Sequence, residues 1–236
     1  MATQKLVFER EASNGPDEDF RRRSARRRRE KMRETLLEAT EVACVRHGSA
    51  NVALQDILDA AQVSRGTFYA HFDAIHDAIA IVARKLVDQA QADGVEMYRG
   101  VTDPLLRIAV GPQLFLTRAA LQPAWASTIV ESGDFLVRST FVSAIRSDVL
   151  ANMRNRNFVR SNPQAAVDLH VGAMMQGART LQKLRHGRRN YIRDLDLNLL
   201  RAFGTPEQLA REVVEKAGED LSRRAPTFLA WWRELD

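Results

Sequence analysis

The chain contains a single cysteine, Cys44, among its 236 residues. One thiol cannot form an internal disulfide, so the sequence is not that of a disulfide-stabilised secreted domain, and a reducing cytoplasm is expected. No apolar run approaches the roughly 20 residues that span a bilayer, and the N-terminus lacks the apolar core of a signal peptide. We therefore expect no membrane partner.

Motifs of the common enzyme classes are missing as well. The chain has no glycine-rich phosphate loop and no nucleophile elbow. The five histidines, His47, His71, His76, His170 and His186, are scattered along the sequence. His71 and His76 are five residues apart, which does not suit the i, i+4 spacing of a zinc-binding pair. We therefore predict no enzymatic activity, no metal site and no cofactor.

The most informative segment is residues 54–72, which read LQDILDAAQVSRGTFYAHF. Apolar residues recur there at the i, i+3, i+4 and i+7 spacing of a short amphipathic helix: Leu54, Ile57, Leu58 and Ala61. Gln62 and Val63 interrupt the pattern, and Ser64 can cap a second short helix in which Phe68 and Phe72 pack inward. Two short helices joined by so tight a turn form a helix-turn-helix. The second helix is short enough to lie in the major groove of DNA.

The outer face of this second helix carries hydrogen-bonding side chains and no acid. With the two phenylalanines packed inward, Arg65, Thr67, Tyr69 and His71 face outward. Side chains of these types bind phosphates and base edges. The segment therefore predicts a double-stranded DNA partner.

The same segment resembles the signature of the tetracycline-repressor-like (TetR) family of bacterial transcription regulators. The matching residues are Val63, Ser64, Gly66, Thr67, Tyr69, His71 and Phe72. Three positions depart from the family pattern. Gln62 replaces the turn glycine, so a left-handed residue there is strained. Ala53 replaces the threonine that caps the first helix, which forfeits roughly 1 kcal/mol. Ile75 replaces a lysine that anchors a phosphate.

The resemblance implies specific roles for the DNA-binding residues. Gln55 and Arg65 would read base edges, and Thr67, Tyr69 and His71 would hold phosphates. The complete expected set is Gln55, Ser64, Arg65, Gly66, Thr67, Tyr69 and His71. In the family, extensions before the first helix often bind DNA too, and residues 20–33 hold nine basic residues and one acid. This run is either a solvated, self-repelling segment or a phosphate-binding arm. We favour an arm and place Arg26, Arg27 and Arg28 in it.

No segment shows the alternating pattern of a β-strand, so we predict an all-α fold with an N-terminal helix-turn-helix head joined to a larger C-terminal helical domain. The expected domains are a disordered, Arg-rich arm (1–27), a DNA-binding domain (28–93) and a ligand-binding and dimerisation domain (94–236). Asp73 is the expected cap of the fourth helix. A segment from Pro104 should be kinked or divided at Gly111 and Pro112. Later helices are expected from Pro163 to His186 and from Pro206 to about Leu221, with a last segment from Pro226.

The C-terminal domain suggests two roles, both taken from the resemblance. In the family, the last two helices of each subunit commonly form a four-helix bundle with those of a partner, and the middle helices enclose a small-molecule pocket. The expected dimer residues are Leu169, Gly172, Ala173, Gln176, Leu209 and Val213. The expected pocket residues are Phe115, Arg118, Trp125, Phe141, His170 and Met174. Ordinary intrachain core is the alternative for both groups.

Together these observations predict a dimeric DNA-binding transcription regulator, a repressor that a small-molecule ligand releases from a palindromic operator. Such a bacterial protein would be cytoplasmic and associated with the nucleoid when bound. The alternative is a helical adaptor whose DNA-binding motif has decayed and which binds a protein partner. The departures at Ala53, Gln62 and Ile75 favour the adaptor, whereas the retained Arg65 and Tyr69 favour the regulator.

Overall fold

The computed structural model describes residues 16–131 and 140–236, with backbone only for 16–19, 140 and 141. These residues form ten α-helices and a 3-10 turn, Ser49–Asn51, and they contain no β-strand. The helices are α1 (Pro16–His47), α2 (Leu54–Ala61), α3 (Arg65–Tyr69), α4 (Ile75–Tyr98), α5 (Pro104–Leu121), α6 (Pro123–Glu131), α7 (Thr140–Arg154), α8 (Pro163–Leu181), α9 (Arg188–Ala202) and α10 (Glu207–Phe228). The all-α prediction is confirmed.

The first helix begins well before the expected start near Arg28. Residues 16–27, which we expected to be disordered, continue α1 without a break, whereas 1–15 lie outside the described residues. Arginine has a high helix propensity, and the run extends from a helix already fixed by packing. Arg26 also pairs with Glu30 at 2.8 Å, an i, i+4 contact that supports an exposed helix. Low apolar content alone was therefore a poor guide to order here.

Helices α1 to α3 and the first two turns of α4 form one small unit, which we call the head. Its apolar core consists of Leu36, Ala39, Ala43, Leu54, Ile57, Leu58, Phe68, Phe72 and Ala78. Ile57 and Phe68 are completely buried, as the spacing of apolar residues predicted. The remaining helices, which we call the body, surround α5. That helix packs against α4, α6, α7, α8, α9 and α10.

Two helices of the head have alanine at the N-cap position, and both replace the missing side-chain cap in the same way. The backbone N–H of Ala53 donates to Asp56 Oδ2 at 2.8 Å, and that of Ala74 donates to Asp77 Oδ2 at 2.9 Å. The carboxylate three residues into each helix thus satisfies a donor at the helix start. Ala74, and not the expected Asp73, occupies the cap position of α4.

Several helix boundaries in the body differ from the prediction. α5 is continuous through Gly111 and Pro112, because packing on every side of this buried helix compensates for the hydrogen bond that proline removes. Likewise, α10 continues through Pro226 to Phe228. α8 ends at Leu181, before the expected His186, and α9 had no counterpart in the prediction. The boundary expected between 93 and 94 falls inside α4.

Candidate functional site

The start of α3 is fixed by local hydrogen bonds. Ser64 Oγ accepts from the backbone N–H of Thr67 at 3.2 Å, so Ser64 is the N-cap of this helix. Before it, Gln62 has φ 54° and ψ 46°, the left-handed conformation in which the family signature places glycine. This conformation carries strain of about 1 kcal/mol in a residue with a side chain. The turn keeps its shape because the N–H groups of Gln62 and Val63 both donate to the Leu58 carbonyl.

The outer face of α3 is open to solvent. Arg65, Gly66 and Tyr69 are exposed, the last with 48 % of its surface, whereas Thr67 and His71 are half-buried. A Cβ at Gly66 would meet only Ser64 Oγ, at 3.8 Å, so the fold itself does not require glycine there. Gln55 is exposed on α2, and its Nε2 donates to Asp59 Oδ1 at 2.7 Å. Reading a base edge would require Gln55 to give up that bond.

Two arginines of α1 contact the end of α3, and the sequence analysis did not identify them. Arg29 Nη2 and Arg33 Nη1 donate to the carbonyls of Ala70 and His71, each at 3.4 Å. The Arg33 guanidinium also lies 4.5 Å from the centre of the Phe72 ring. Cations are favourable at the C-terminal end of a helix, where carbonyl groups are left unpaired. Only the i, i+4 spacing of these arginines on the head-facing side of α1 could have indicated this role.

The same arginines affect the protonation of His71. Burial lowers the pKa of His71 below its ordinary value, and the positive charges of Arg29 and Arg33 lower it further. The imidazole is therefore neutral near pH 7, with one nitrogen as a donor and the other as an acceptor. Arg26, Arg27 and Arg28 are exposed on α1.

A cavity of about 140 Å³ lies in the body and brings together the expected pocket residues. Five of the six line it: Phe115, Arg118, Trp125, His170 and Met174. The side chain of Phe141 lies outside the described residues. We call this space the central cavity. Its wall also includes residues that the sequence analysis did not nominate, namely Asp93, Tyr98, Arg107, Asp148 and Trp231.

One ion pair in the central cavity is held between two indole rings. Arg118 Nη1 lies 2.7 Å from Asp93 Oδ2, which also accepts from Trp231 Nε1 at 2.9 Å. The Arg118 guanidinium lies over the rings of Trp125 and Trp231, at 4.5 and 5.3 Å from their centres. Burial raises the pKa of Asp93, while Trp231 and Arg118 oppose that rise. Because the carboxylate has these two donors, we assign it as ionised at neutral pH.

A second ion pair lies in the wall of the same cavity. Arg107 Nε donates to Asp148 Oδ1 at 3.0 Å, and its guanidinium lies 4.6 Å from the centre of the Tyr98 ring. Burial raises the pKa of Asp148, and Arg107 opposes the rise. Burial also lowers the pKa of His170 to about 4, so its ring is neutral. The buried atoms His170 Nδ1 and Trp125 Nε1 have no hydrogen-bond partner in the described part of the chain.

The residues expected at a dimer interface divide into two groups. Leu169, Gly172 and Gln176 are exposed on α8, Ala173 is half-buried beside them, and Leu209 is exposed on α10. A Cβ at Gly172 would meet nothing within 4 Å, so this side of α8 is open. Val213 is different, since only 7 % of its surface is exposed and it belongs to the core of its own chain. Its expected place at an interface between subunits is therefore corrected to a place in the body core.

No helix in residues 16–131 and 140–236 is long and apolar enough to cross a membrane. The same residues contain no cluster of three or more His, Cys, Asp or Glu side chains arranged to hold a metal ion.

Comparisons with known proteins agree with the site on the head. Residues 36–75 match the model of bacterial regulatory proteins of the tetR family. The fold is similar to that of RolR in complex with resorcinol, with a TM-score of 0.65, 19 % identity, and coverage of 80 % of this chain and 96 % of RolR. It is also similar to a transcriptional regulator of Streptomyces coelicolor, SCO4942, with a TM-score of 0.54, 16 % identity, and coverage of 74 % and 99 %. No curated protein sequence matches the chain.

Proposed function

Because residues 36–75 match the model of bacterial regulatory proteins of the tetR family, we propose that the chain belongs to that family and represses transcription as a homodimer bound to a palindromic operator. A small molecule in the central cavity releases the protein from that operator. One observation carries this proposal. Helix α4 follows the recognition helix α3 directly, and its last turns supply Asp93 and Tyr98 to the cavity wall. A single helix thus joins the DNA-reading surface to the ligand site.

On DNA, α3 lies in the major groove. Arg65 and Gln55 read base edges, and Thr67, Tyr69 and His71 bind phosphates. Ser64 holds the start of the helix in place, and Gly66 allows the DNA backbone a close approach, since nothing inside the protein requires a glycine there. The arginines of the N-terminal part of α1, Arg26 to Arg28, add contacts to phosphates that do not depend on sequence.

Two copies are needed to read two half-sites about 34–36 Å apart. The open side of α8, with Leu169, Gly172, Ala173 and Gln176, is the surface on which a second copy packs, and Leu209 of α10 extends it. Glycine and alanine at this surface permit close approach of two helices. A two-fold axis then places the same surface of both subunits in contact.

The ligand acts by shifting a population between two spacings of the heads, which requires that it bind one of them more tightly. RolR, one of the proteins with a similar fold, was solved with resorcinol. Resorcinol is therefore the first compound to test as a releasing ligand. We place the protein in the bacterial cytoplasm and, when bound to DNA, at the nucleoid.

The second candidate is a helical adaptor that has lost DNA binding. It is favoured by Ile75, which packs against the apolar core of the head where the family signature has a phosphate-anchoring lysine. Selection of bound sequences from a random duplex library, with the full-length protein at moderate salt, separates the two functions. The regulator enriches a palindrome with half-sites about one helical turn apart. The adaptor enriches nothing.

A further inference from the structure

We propose that the central cavity binds a neutral aromatic molecule with a single ring and hydroxyl substituents. This inference rests on the proposed function, because it names the ligand class of the same site. Four features of the cavity support it, namely its size, its aromatic wall, its balance of charge and its unpartnered polar atoms.

The volume of the cavity suits a ligand with one ring. A cavity of about 150 Å³ in a protein core accommodates benzene. The central cavity has a volume of about 140 Å³, so a six-membered ring with small substituents fills it. A second fused ring exceeds this volume, so we expect a two-ring compound to bind less tightly.

The wall of the cavity is suited to a flat ring. Tyr98, Phe115, Trp125 and Trp231 contribute aromatic surface from α4, α5, α6 and the segment after α10. The rings of Phe115 and Trp125 are already in contact, with their centres 5.3 Å apart. Aromatic rings prefer offset or edge-to-face neighbours, so an aromatic ligand completes this cluster better than an aliphatic one.

The charges in the wall favour a ligand without net charge. Among the described residues that line the cavity, the ionisable charges are two carboxylates and two guanidinium groups, paired as Asp93 with Arg118 and Asp148 with Arg107. Each charge already has its counterion. A benzoate or an ammonium ion would lose its hydration and find no unpaired opposite charge. A neutral molecule avoids this cost.

Two buried polar atoms without hydrogen-bond partners favour a ligand that carries hydroxyl groups. Trp125 Nε1 can only donate a hydrogen bond, and it has no acceptor among the described residues. His170 is neutral, and its ring nitrogen Nδ1 also has no hydrogen-bond partner among the described residues. Both residues line the cavity, and buried polar groups usually have a partner, so a ligand hydroxyl that reached these atoms by a small side-chain shift would satisfy them. A hydroxyl both donates and accepts, and it can therefore serve the indole, the imidazole or a carboxylate.

Calorimetric titration of the full-length protein, without DNA, tests the ligand class. The probes are resorcinol, benzoate and 2-naphthol, which differ in charge or in ring number. We expect resorcinol to bind at least ten times more tightly than either of the others. Binding of benzoate or 2-naphthol as tight as that of resorcinol would overturn the proposal, and so would the absence of resorcinol binding.

Two variants with opposite charge effects separate recognition from damage to the fold. Asp93→Asn leaves Arg118 without its counterion. The affinity for benzoate relative to that for resorcinol should therefore rise at least tenfold. Arg118→Gln leaves Asp93 without its counterion. The affinity for benzylamine, a cation, should therefore rise relative to the affinity for resorcinol. Asp88→Asn, an exposed position on the same helix, is the matched control and should change neither ratio. If both variants change the affinities for benzoate and for benzylamine, relative to that for resorcinol, by the same factor, the paired charges do not select a neutral ligand.

The outcome for the ligand class is independent of the outcome for the function. If resorcinol binds with the expected selectivity but does not release the protein from its selected DNA site, the ligand class stands and ligand-controlled release fails. If the protein binds a palindrome that another class of compound controls, and resorcinol does not bind, the function stands and the ligand class is overturned.

Discussion

In the proposed function, Arg65, which is exposed on the outer face of α3, reads a base edge. Arg65→Ala should weaken binding to the selected site by about 1–3 kcal/mol and relax the preference at one base pair, because an arginine pairs with a base edge through two hydrogen bonds. Competition binding with duplexes that carry single base changes measures this. Arg154→Ala, an exposed arginine at the end of α7, is the control for lost charge. An unchanged base preference would rule out the reading role.

A second prediction for a single residue concerns Arg33, which donates a hydrogen bond to the His71 carbonyl just after α3. Arg33→Gln should raise the pKa of His71, because one of the two nearby positive charges that lower it is removed. The increase should be partial, since burial is the larger cause and remains. Titration of the His71 ring protons by NMR gives the value. Arg46→Gln, at the exposed end of α1, should leave that pKa unchanged. If Arg33→Gln leaves it unchanged too, the proximity of Arg33 has no electrostatic effect.

At this scale the sequence predicted the outer face of α3 and the cap at Ser64, because both depend on residues close together in the chain. It did not predict the contacts of Arg29 and Arg33, whose partners are backbone carbonyls 41 and 38 residues away. The wall of the central cavity shows the same limit. Arg118 and Trp125 were nominated, but Asp93 and Trp231, which fix the position of Arg118, are distant in sequence.

Among the helices, the N-terminal part of α1 carries the basic arm, and its proposed contact with DNA can be tested by deletion. Deletion of residues 1–27 should weaken binding to all DNA sequences alike and reduce the dependence of affinity on salt, because fewer phosphates are neutralised. The apolar core of the head begins at Leu36, so the deletion should leave the head folded. Binding to the selected site and to a scrambled duplex over a range of salt gives both slopes. An unchanged slope would mean that the segment does not contact DNA.

Helix α6 connects the cavity to the head, because it carries Trp125 at one end and Glu131 at the other. Glu131 Oε2 accepts from the Ala50 N–H at 2.7 Å and from Ser49 Oγ, while Ser127 Oγ donates to Oε1 at 3.0 Å. Burial raises the pKa of Glu131, but these hydrogen bonds outweigh burial and place the pKa below its ordinary value.

The stabilisation that Glu131 provides should therefore depend on pH. A group whose folded pKa is depressed stabilises the fold above its unfolded pKa, about 4.3 for glutamate, and loses that effect as pH falls through the folded pKa. The difference in unfolding free energy between wild type and Glu131→Gln should thus be largest near neutral pH and shrink below pH 4.3. Urea unfolding from pH 7 to 3 measures it. Glu212→Gln, exposed on α10, is the control, and a difference that does not vary with pH would contradict the assignment.

How well each helix could be predicted depended on how many of its sides are buried, because burial determines the spacing of its apolar residues. α2 and α3 followed from apolar spacing because one side of each contributes to the apolar core of the head and the other faces solvent. α5 is buried on nearly all sides, so its sequence has no amphipathic pattern to outweigh Gly111 and Pro112, which predict a kink or a division. Gly111 has a packing reason instead, since a Cβ there would lie 2.8 Å from the Tyr98 hydroxyl. α9 combines many charges with a completely buried Asp196, which hides its apolar side.

At the scale of the whole molecule, the open side of α8 predicts the oligomeric state. Leu169 is 48 % exposed there, next to Gly172. Leu169→Glu should produce a monomer and lose binding to the palindrome, because two charges would meet across the two-fold axis. Light scattering at the concentrations used for DNA binding gives the mass. Val42→Glu, at an exposed position on α1, should remain dimeric. A dimeric Leu169→Glu protein would place the interface elsewhere.

In the proposed function the DNA-binding surface and the central cavity are coupled, and this coupling must act in both directions. If a ligand weakens DNA binding, DNA must weaken binding of the ligand by the same factor. Resorcinol should be titrated into the free protein and into its complex with the selected duplex. We predict weaker binding to the complex, by a factor of about 5 to 150. Equal affinity for the free and DNA-bound protein would show that the two sites are independent and would contradict the account.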